Sequence, residues 1–435
     1  MSGAPRPFGA FVADAAAAGR LVVQPRMGFG DPEAMRTGLA RTRAATATTV
    51  GTLTIDSYTR VGDLAGARAA LAEGTRLNGY PLATHPLAVT RALLDGLYDA
   101  DFPVQVRHGS ARPQDIVRAL VAAGLDATEG GPVSYCLPYG RTPLRESVRA
   151  WAEGCEILAA SARPGSVPHL ESFGGCLLGQ LCPPGLLVAM SVLECLFFAR
   201  HGLRSVSLSY AQQTDPVQDE EAVRALRRLA GEFLPAGVDH HVVLYTYMGV
   251  YPRTERGATR LLEASARLAL RSGAQRLLVK TTAESRRIPT VDENVRALET
   301  AAAAAALAGP PDPVAPGARS EVYEEALTLV EAVLGLHTDL ARALPAAFER
   351  GLLDVPFCLH PDNAGRSRSV IGADGRLRWS DTGAMPIRPD APADVEPLTA
   401  RGLLTTLHHM ADRYDRAPSA PVALRAADTL TTRPT

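Results

Sequence analysis

The sequence predicts an α/β fold, a closed TIM-type barrel of eight parallel strands, on three observations. Short apolar runs alternate with amphipathic helical stretches eight times between Leu21 and Val279. Charged or polar residues follow those runs at their C-terminal tips. No GxGxxG opens the first helix. Alternating strand and helix argues a parallel sheet, and eight units of this length fit a barrel. The alternative, an open doubly wound sheet, is weakened by the missing glycine fingerprint.

The elements follow in order. Residues 21–24 read as the first strand, and 32–44 as a helix with Asp31 as N-cap and Pro32 at its first position. Strands are expected at 48–55, 102–106 and 125–128, with helices at 113–123 and 142–160. Strands at 169–173, 205–210, 241–247 and 276–279 follow, with helices at 220–233 and 254–272. Thr290 caps a helix over 291–307 that stops near Gly309-Pro310-Pro311. Residues 1–310 are thus the catalytic barrel, and 311–435 an appendage packed on it. In that appendage, 310–320 read as a Pro-rich linker, 321 to about 350 as one long helix, and 369–371 with 376–379 as a β-hairpin turning on Ala373-Asp374-Gly375. The last twenty residues are polar and Pro-rich, a flexible tail.

Composition narrows the function. The 435 residues carry a net charge of −1 and no basic block, which argues against nucleic acid. The most apolar stretch, 185–198, contains Glu194 and is too short to span a bilayer, and the first nine residues have no signal-peptide core. Six cysteines are scattered with no CxxC spacing, so neither a metal site nor a disulfide framework is expected. These features point to a reduced, cytoplasmic protein without a membrane partner. Lys280 is the only lysine. In a chain that uses arginine everywhere else, a lysine at a strand tip marks a place where a compact ammonium serves better than a guanidinium fork.

In a barrel, chemistry collects at the strand tips. The first three tips carry Arg26, Arg60 and Arg107, and the fourth carries Glu129, followed by Tyr135 and Tyr139. Guanidinium forks bind carboxylates bidentately. Three forks predict a substrate with two carboxylates, or a phosphate; two carboxylates with Glu129 for an ammonium make an acidic amino acid, with the tyrosines as further donors. His108 adjoins Arg107 and therefore points to the other side of its strand. His240-His241 reads as strand-edge packing. No nucleophile with a general base is evident, so a cofactor is expected to carry the chemistry.

Several segments in one order resemble the catalytic (epsilon) component of glutamate mutase, or methylaspartate mutase. They are QPRMG (24–28), IDSYTR (55–60), LNGYP (77–81), VRHG (106–109), EGGPVSYCLPY (129–139), ESFGG (171–175), MGVYP (248–252), VKTTAE (279–284) and DNAG (362–365). The resemblance implies a barrel that closes around adenosylcobalamin and converts L-glutamate to (2S,3S)-3-methylaspartate. It makes Arg26, Arg60 and Arg107 a claw on the substrate carboxylates. Glu129 becomes the ammonium acceptor, and Tyr135 and Tyr139 further substrate contacts. It assigns Asn78, His108, Pro138, Phe173 and Met248 to the cofactor pocket, and Lys280 and Glu284 to the adenosine ribose. The chain has no DxHxxG cobalt-ligand motif. A small cobalamin-binding component is therefore implied as partner, in a heterotetramer built on a homodimer of this chain. Against the family pattern the first strand comes early, Pro132 and Cys136 alter the fourth loop, and Gln212-Gln213-Thr214-Asp215 alters the sixth. Two other functions compete: the same chemistry on a related amino acid, and a barrel that serves assembly without turning over.

Overall fold

The computed structural model describes residues 6–177, 179–308, 319–388 and 399–416. Its eight parallel strands are β1 (Val22–Gln24), β2 (Gly51–Thr54), β3 (Val104–Arg107), β4 (Ala127–Gly130), β5 (His169–Ser172), β6 (Ser205–Ala211), β7 (Asp239–Tyr245) and β8 (Arg276–Leu278). They pair in the order β1-β8-β7-β6-β5-β4-β3-β2. The ring closes where Val23 bridges Thr49 and the Val23 N–H donates to the Thr48 carbonyl at 2.9 Å. Strands β1 to β6 and β8 are buried almost throughout, as expected where helices cover one face and the lumen the other.

The helices are α1 (Phe8–Ala17), α2 (Pro32–Arg43), α3 (Ser57–Val61), α4 (Leu64–Ala72), α5 (Leu87–Leu94), α6 (Gln114–Ala123), α7 (Leu144–Ala160), α8 (Pro184–Arg200), α9 (Pro216–Phe233), α10 (Glu255–Ser272), α11 (Val291–Ala306), α12 (Glu321–Leu334), α13 (Leu340–Arg350) and α14 (Ala400–Arg416). Local chemistry sets their ends. The Asp31 carboxylate accepts from Ala34 N at 2.7 Å, and Thr290 and Glu293 form a reciprocal capping box. Helices α1, α3, α4, α5, α8 and α14 were not expected from the sequence. The apolar run 185–198 lies in α8, where every residue but Arg200 is buried. That helix packs on β5 and β6 on one side and α12 on the other, so its periodicity vanishes. Among the described residues no helix is long and apolar enough to cross a membrane.

Two expectations need correction. The single helix over 321–350 is two, α12 and α13. The chain breaks after Gly335, and Asp339 starts again as an N-cap, accepting from Ala341 N at 2.8 Å. His241 is not at a strand edge, because a closed barrel has none. It faces the lumen and stacks on His169 at 5.1 Å, while His240 is exposed. The hairpin forms as β9 (Arg368–Ile371) and β10 (Leu377–Asp381), antiparallel, with Gly375 at φ +89° in its turn. It is pinned to α12 where Trp379 Nε1 donates to Glu325 at 2.6 Å, and to α9 of the barrel where Gln218 holds both backbone groups of Leu377. The Pro-rich linker with the domain boundary expected at 310/311, and the tail from 417, lie outside the described residues, apart from Arg319 and Ser320.

Helix α1 plugs the N-terminal end of the barrel. Phe8 is fully buried, stacks on His169 at 5.0 Å and lies 5.0 Å below the Arg276 guanidinium. This floor leaves the C-terminal end as the open mouth.

Candidate functional site

Side chains at alternate strand positions fill the lumen in layers. At the floor His169, His241 and Arg276 come from the starts of β5, β7 and β8. Burial, then the Arg276 charge, holds both imidazoles neutral, well below the ordinary histidine range. Arg276 is fully buried and donates to Glu171 and to Gln24. Gln24 donates to Gln105 at 2.8 Å, and Gln105 to Glu171 at 3.1 Å. Above Glu171, the Tyr245 hydroxyl lies within hydrogen-bonding distance of both Glu171 and Glu129, the latter at 2.9 Å. Glu129 also accepts from Arg107 Nε at 2.6 Å and from the Tyr135 hydroxyl. A continuous polar chain thus runs from Arg276 at the floor to Arg107 at the mouth. Burial opposes charge on Arg107, but Glu129, Tyr245 and Tyr135 together outweigh it and lift the guanidinium above its usual range.

The mouth residues are placed by local structure. Asp56 caps α3 by accepting from Tyr58 N and Thr59 N at 2.9 and 3.0 Å, which sets Arg60 one turn above β2. Arg60 Nε donates to the His108 carbonyl at 2.9 Å. No carboxylate lies within ion-pairing distance of Arg60 among the described residues. It is held close to Gly109, whose φ of +72° suits glycine and where a Cβ would come within 3.3 Å of Arg60 Nε. Arg26 instead pairs with Glu284 at 2.9 Å.

The three arginines do not share one cavity in this structure. Arg26 and Arg107 line a cavity of about 530 Å³ with Asn78 and Glu284. Arg60 lines a second, of about 510 Å³, with Tyr135 and Tyr139. Glu129 joins the two, because it binds Arg107 of one and Tyr135 of the other.

The remaining predicted positions surround these cavities. Phe173 is buried 5.0 Å from Tyr135 and 5.5 Å from Tyr245, centroid to centroid. Pro138 is half-buried between the mouth tyrosines' loop and the surface, and Met248 half-buried against Gly179. Tyr139 is half-exposed, with its ring 5.8 Å from Tyr135. His108 points away from the lumen, stacked on Trp151 at 5.5 Å. Burial, then Arg60, pushes its pKa down to about 3. Its Nδ1 accepts from Ser110 N at 3.1 Å. It reaches the cavities only through the Tyr135 ring that it backs.

Lys280 is 9% exposed, with Nζ 4.3 Å from the centre of the Tyr251 ring. Burial, followed by Arg26, pulls its pKa down to about 8. No ion pair joins it to Glu284, which Arg26 and the Thr281 N–H occupy. A nearly buried ammonium that lies on a π-face, beside a cavity rimmed by Glu284 and Asn78, suits a ligand that offers hydroxyl acceptors.

Sequence reasoning missed Tyr245 and Arg276, and gave Gln105, Glu171 and Glu194 no role. The available signal was polar residues two apart inside buried runs, as in Gln105/Arg107 and His169/Glu171. Glu194, buried on α8, accepts from Val133 N at 3.1 Å, Ser134 N at 2.9 Å, Ser134 Oγ at 2.9 Å and Ser172 Oγ at 2.8 Å. It thereby fixes the loop that carries Tyr135. Burial raises its pKa to about 7 against those four donors.

The family model described as methylaspartate mutase E chain matches residues 4–403. A glutamate mutase epsilon subunit of Escherichia coli O157:H7 is 30% identical over 78% of this chain and 72% of its own length. That of Halobacterium salinarum is 31% identical over 76% and 71%, and that of Yersinia enterocolitica 30% over 82% and 74%. With a family model spanning nearly the whole described chain and relatives covered over more than two thirds of their length, this chain belongs to the methylaspartate mutase E chain family.

Proposed function

We propose that this chain is the catalytic subunit of an adenosylcobalamin-dependent glutamate mutase, an isomerase that rearranges the carbon skeleton of L-glutamate to (2S,3S)-3-methylaspartate. The observation that carries the reading is the charge arrangement at the mouth. Arg107 and Glu129 form a buried, neutral pair, and Arg60 has no carboxylate within ion-pairing distance among the described residues. A buried ion pair costs desolvation that only matched partners recover. An α-amino acid is itself such a partner. Its ammonium replaces Arg107 on Glu129, and its α-carboxylate takes the guanidinium that is released. The exchange leaves no charge unpaired. The uncompensated Arg60 then selects a second carboxylate, so the fitting ligand carries one net negative charge, as glutamate does.

The residues present also fit the cofactor. Lys280 and Glu284 would hold the adenosine ribose. Asn78, Pro138, Phe173 and Met248, with His108 behind Tyr135, would shape the pocket. Adenosylcobalamin, when bound, would supply abstraction of a hydrogen atom from an unactivated carbon, which a side-chain acid or base cannot perform. The chain's own part is to clamp both carboxylates, orient the ammonium and exclude water around the reacting carbons. A separate small component bears the cobalt-ligating histidine, in a heterotetramer built on two copies of this chain. The six buried free thiols accord with a cytoplasmic setting.

Calorimetric titration of the chain with amino acids tests the clamp. L-Glutamate is expected to bind, and glutamine and norvaline to bind on the order of tenfold or more weakly, because each leaves Arg60 without its anion. Equal affinity for glutamate and glutamine would overturn the reading in favour of a different amino acid.

A further inference from the structure

We propose that Tyr245 is a positioning residue for the ammonium site, a one-proton bridge between Glu129 and Glu171 that turns toward Glu129 when substrate takes Arg107 away. The inference rests on the reading of Glu129 as ammonium acceptor and adds to it a specificity device. Three observations carry it. The Tyr245 hydroxyl is within reach of a carboxylate oxygen on each side, Glu129 Oε2 and Glu171 Oε1. A phenol has one proton to donate, so it satisfies one of the two at a time. The oxygen of Glu129 that faces Tyr245 is also the one that receives Arg107.

The two carboxylates are unequally supplied. Glu171 has Arg276, Gln105 and Ser207 on its Oε2, all from the floor side of the lumen. Glu129 has Arg107, Tyr135 and the share it takes of Tyr245. When the ligand carboxylate draws Arg107 off, Glu129 Oε2 loses its strongest donor. The Tyr245 proton then serves Glu129, and Glu171, giving it up from Oε1, still keeps its charge pair with Arg276 through Oε2. The ring cannot drift, because it is packed edge-on against Phe173 and lies 5.6 Å from the Arg107 guanidinium. Glu129 is thereby held with one oxygen on Tyr135 and the other on Tyr245, and its free lone pairs face the ligand's ammonium. A dicarboxylate without an ammonium has nothing to put in place of Arg107 on Glu129, so the buried pair stays closed and Tyr245 is not called on. The bridge therefore favours amino acids over their deaminated analogues.

The test uses the assembled enzyme, with the small component and adenosylcobalamin, and compares glutamate with glutarate as a competitive inhibitor. Tyr245→Phe keeps the ring and removes the hydroxyl. It is expected to raise the KM for glutamate about tenfold, the scale of one hydrogen bond to a charged group, while the glutarate Ki shifts by less than about twofold. A purely structural role would weaken both ligands alike, and that result overturns the proposal. Should Tyr245→Phe fail to fold, 3-fluorotyrosine at position 245 gives the second readout. Its ¹⁹F resonance is expected to move on saturation with glutamate and stay in place with glutarate. An identical response to both ligands again overturns the bridge. Wild-type enzyme that neither binds nor converts glutamate would instead remove the functional reading beneath it.

Discussion

At the residue scale, the fork geometry of two arginines and the environment of one lysine decide the outcome. Arg60 and Arg107 offer planar forks, and a lysine in either place keeps the charge but loses the paired donors. Arg60→Lys and Arg107→Lys are each expected to lower kcat/KM for glutamate by about a hundredfold or more, with circular dichroism unchanged. Turnover at the wild-type level in either would contradict the clamp. Lys280 yields a pH prediction on the chain alone. Its folded pKa, about 8, lies below its unfolded value. The folded state therefore carries a penalty while the ammonium is charged in both states. That penalty is relieved as pH rises from about 8 toward the unfolded lysine value, because there the unfolded chain binds the extra proton. Lys280→Met is thus expected to be more stable than wild type at pH 7, by up to about 3 kcal/mol, and the advantage shrinks between pH 8 and pH 10. Urea unfolding at the two pH values measures it, and a constant difference would contradict the assignment.

At the scale of elements, α8 and α1 hold the site from outside and below. Glu194 on α8 satisfies two backbone N–H groups and two hydroxyls in the loop that carries Tyr135. Glu194→Ala leaves those donors buried without acceptors, a cost of about 3 kcal/mol or more in urea unfolding. Gly131 packs so closely on this carboxylate that a Cβ there would lie 2.1 Å from it. Gly131→Ala is expected to disturb the same loop. Helix α1 acts on the opposite end. Phe8→Ala should cost about 3 kcal/mol of stability by opening a cavity under Arg276, yet leave kcat and KM for glutamate unchanged, because the mouth is built from other residues. A large rise in KM would show that the floor does more than support.

On the scale of the whole molecule, the sequence made the barrel legible because short, largely apolar runs alternate with helical stretches and are followed by polar tips. It also showed the residues on those tips, since Arg26, Arg60, Arg107, Glu129 and Lys280 break apolar runs where a barrel opens to solvent. What it could not show is pairing across the lumen. Arg276 lies 105 positions from Glu171, and Glu129 lies 116 from Tyr245; only ring closure brings them together. Each of these residues alone looks like an incidental polar position inside a strand. The same holds for Arg26, whose partner Glu284 is 258 positions away. The α8 helix was hidden for a different reason, because burial on both sides erases the amphipathic period that marks a helix. The break between α12 and α13 depends on Gly335 and Asp339, two ordinary residues in a polar stretch.

The central claim is that this mouth rearranges glutamate when a cobalamin-binding partner completes it. The direct measurement is proton NMR of L-glutamate incubated with this chain, the small cobalamin-binding component and adenosylcobalamin. The account predicts the methyl doublet of 3-methylaspartate, growing at a rate that depends on the concentration of both proteins and absent when the chain is used alone. No methylaspartate from the complete mixture, or full activity from the isolated chain, would contradict it.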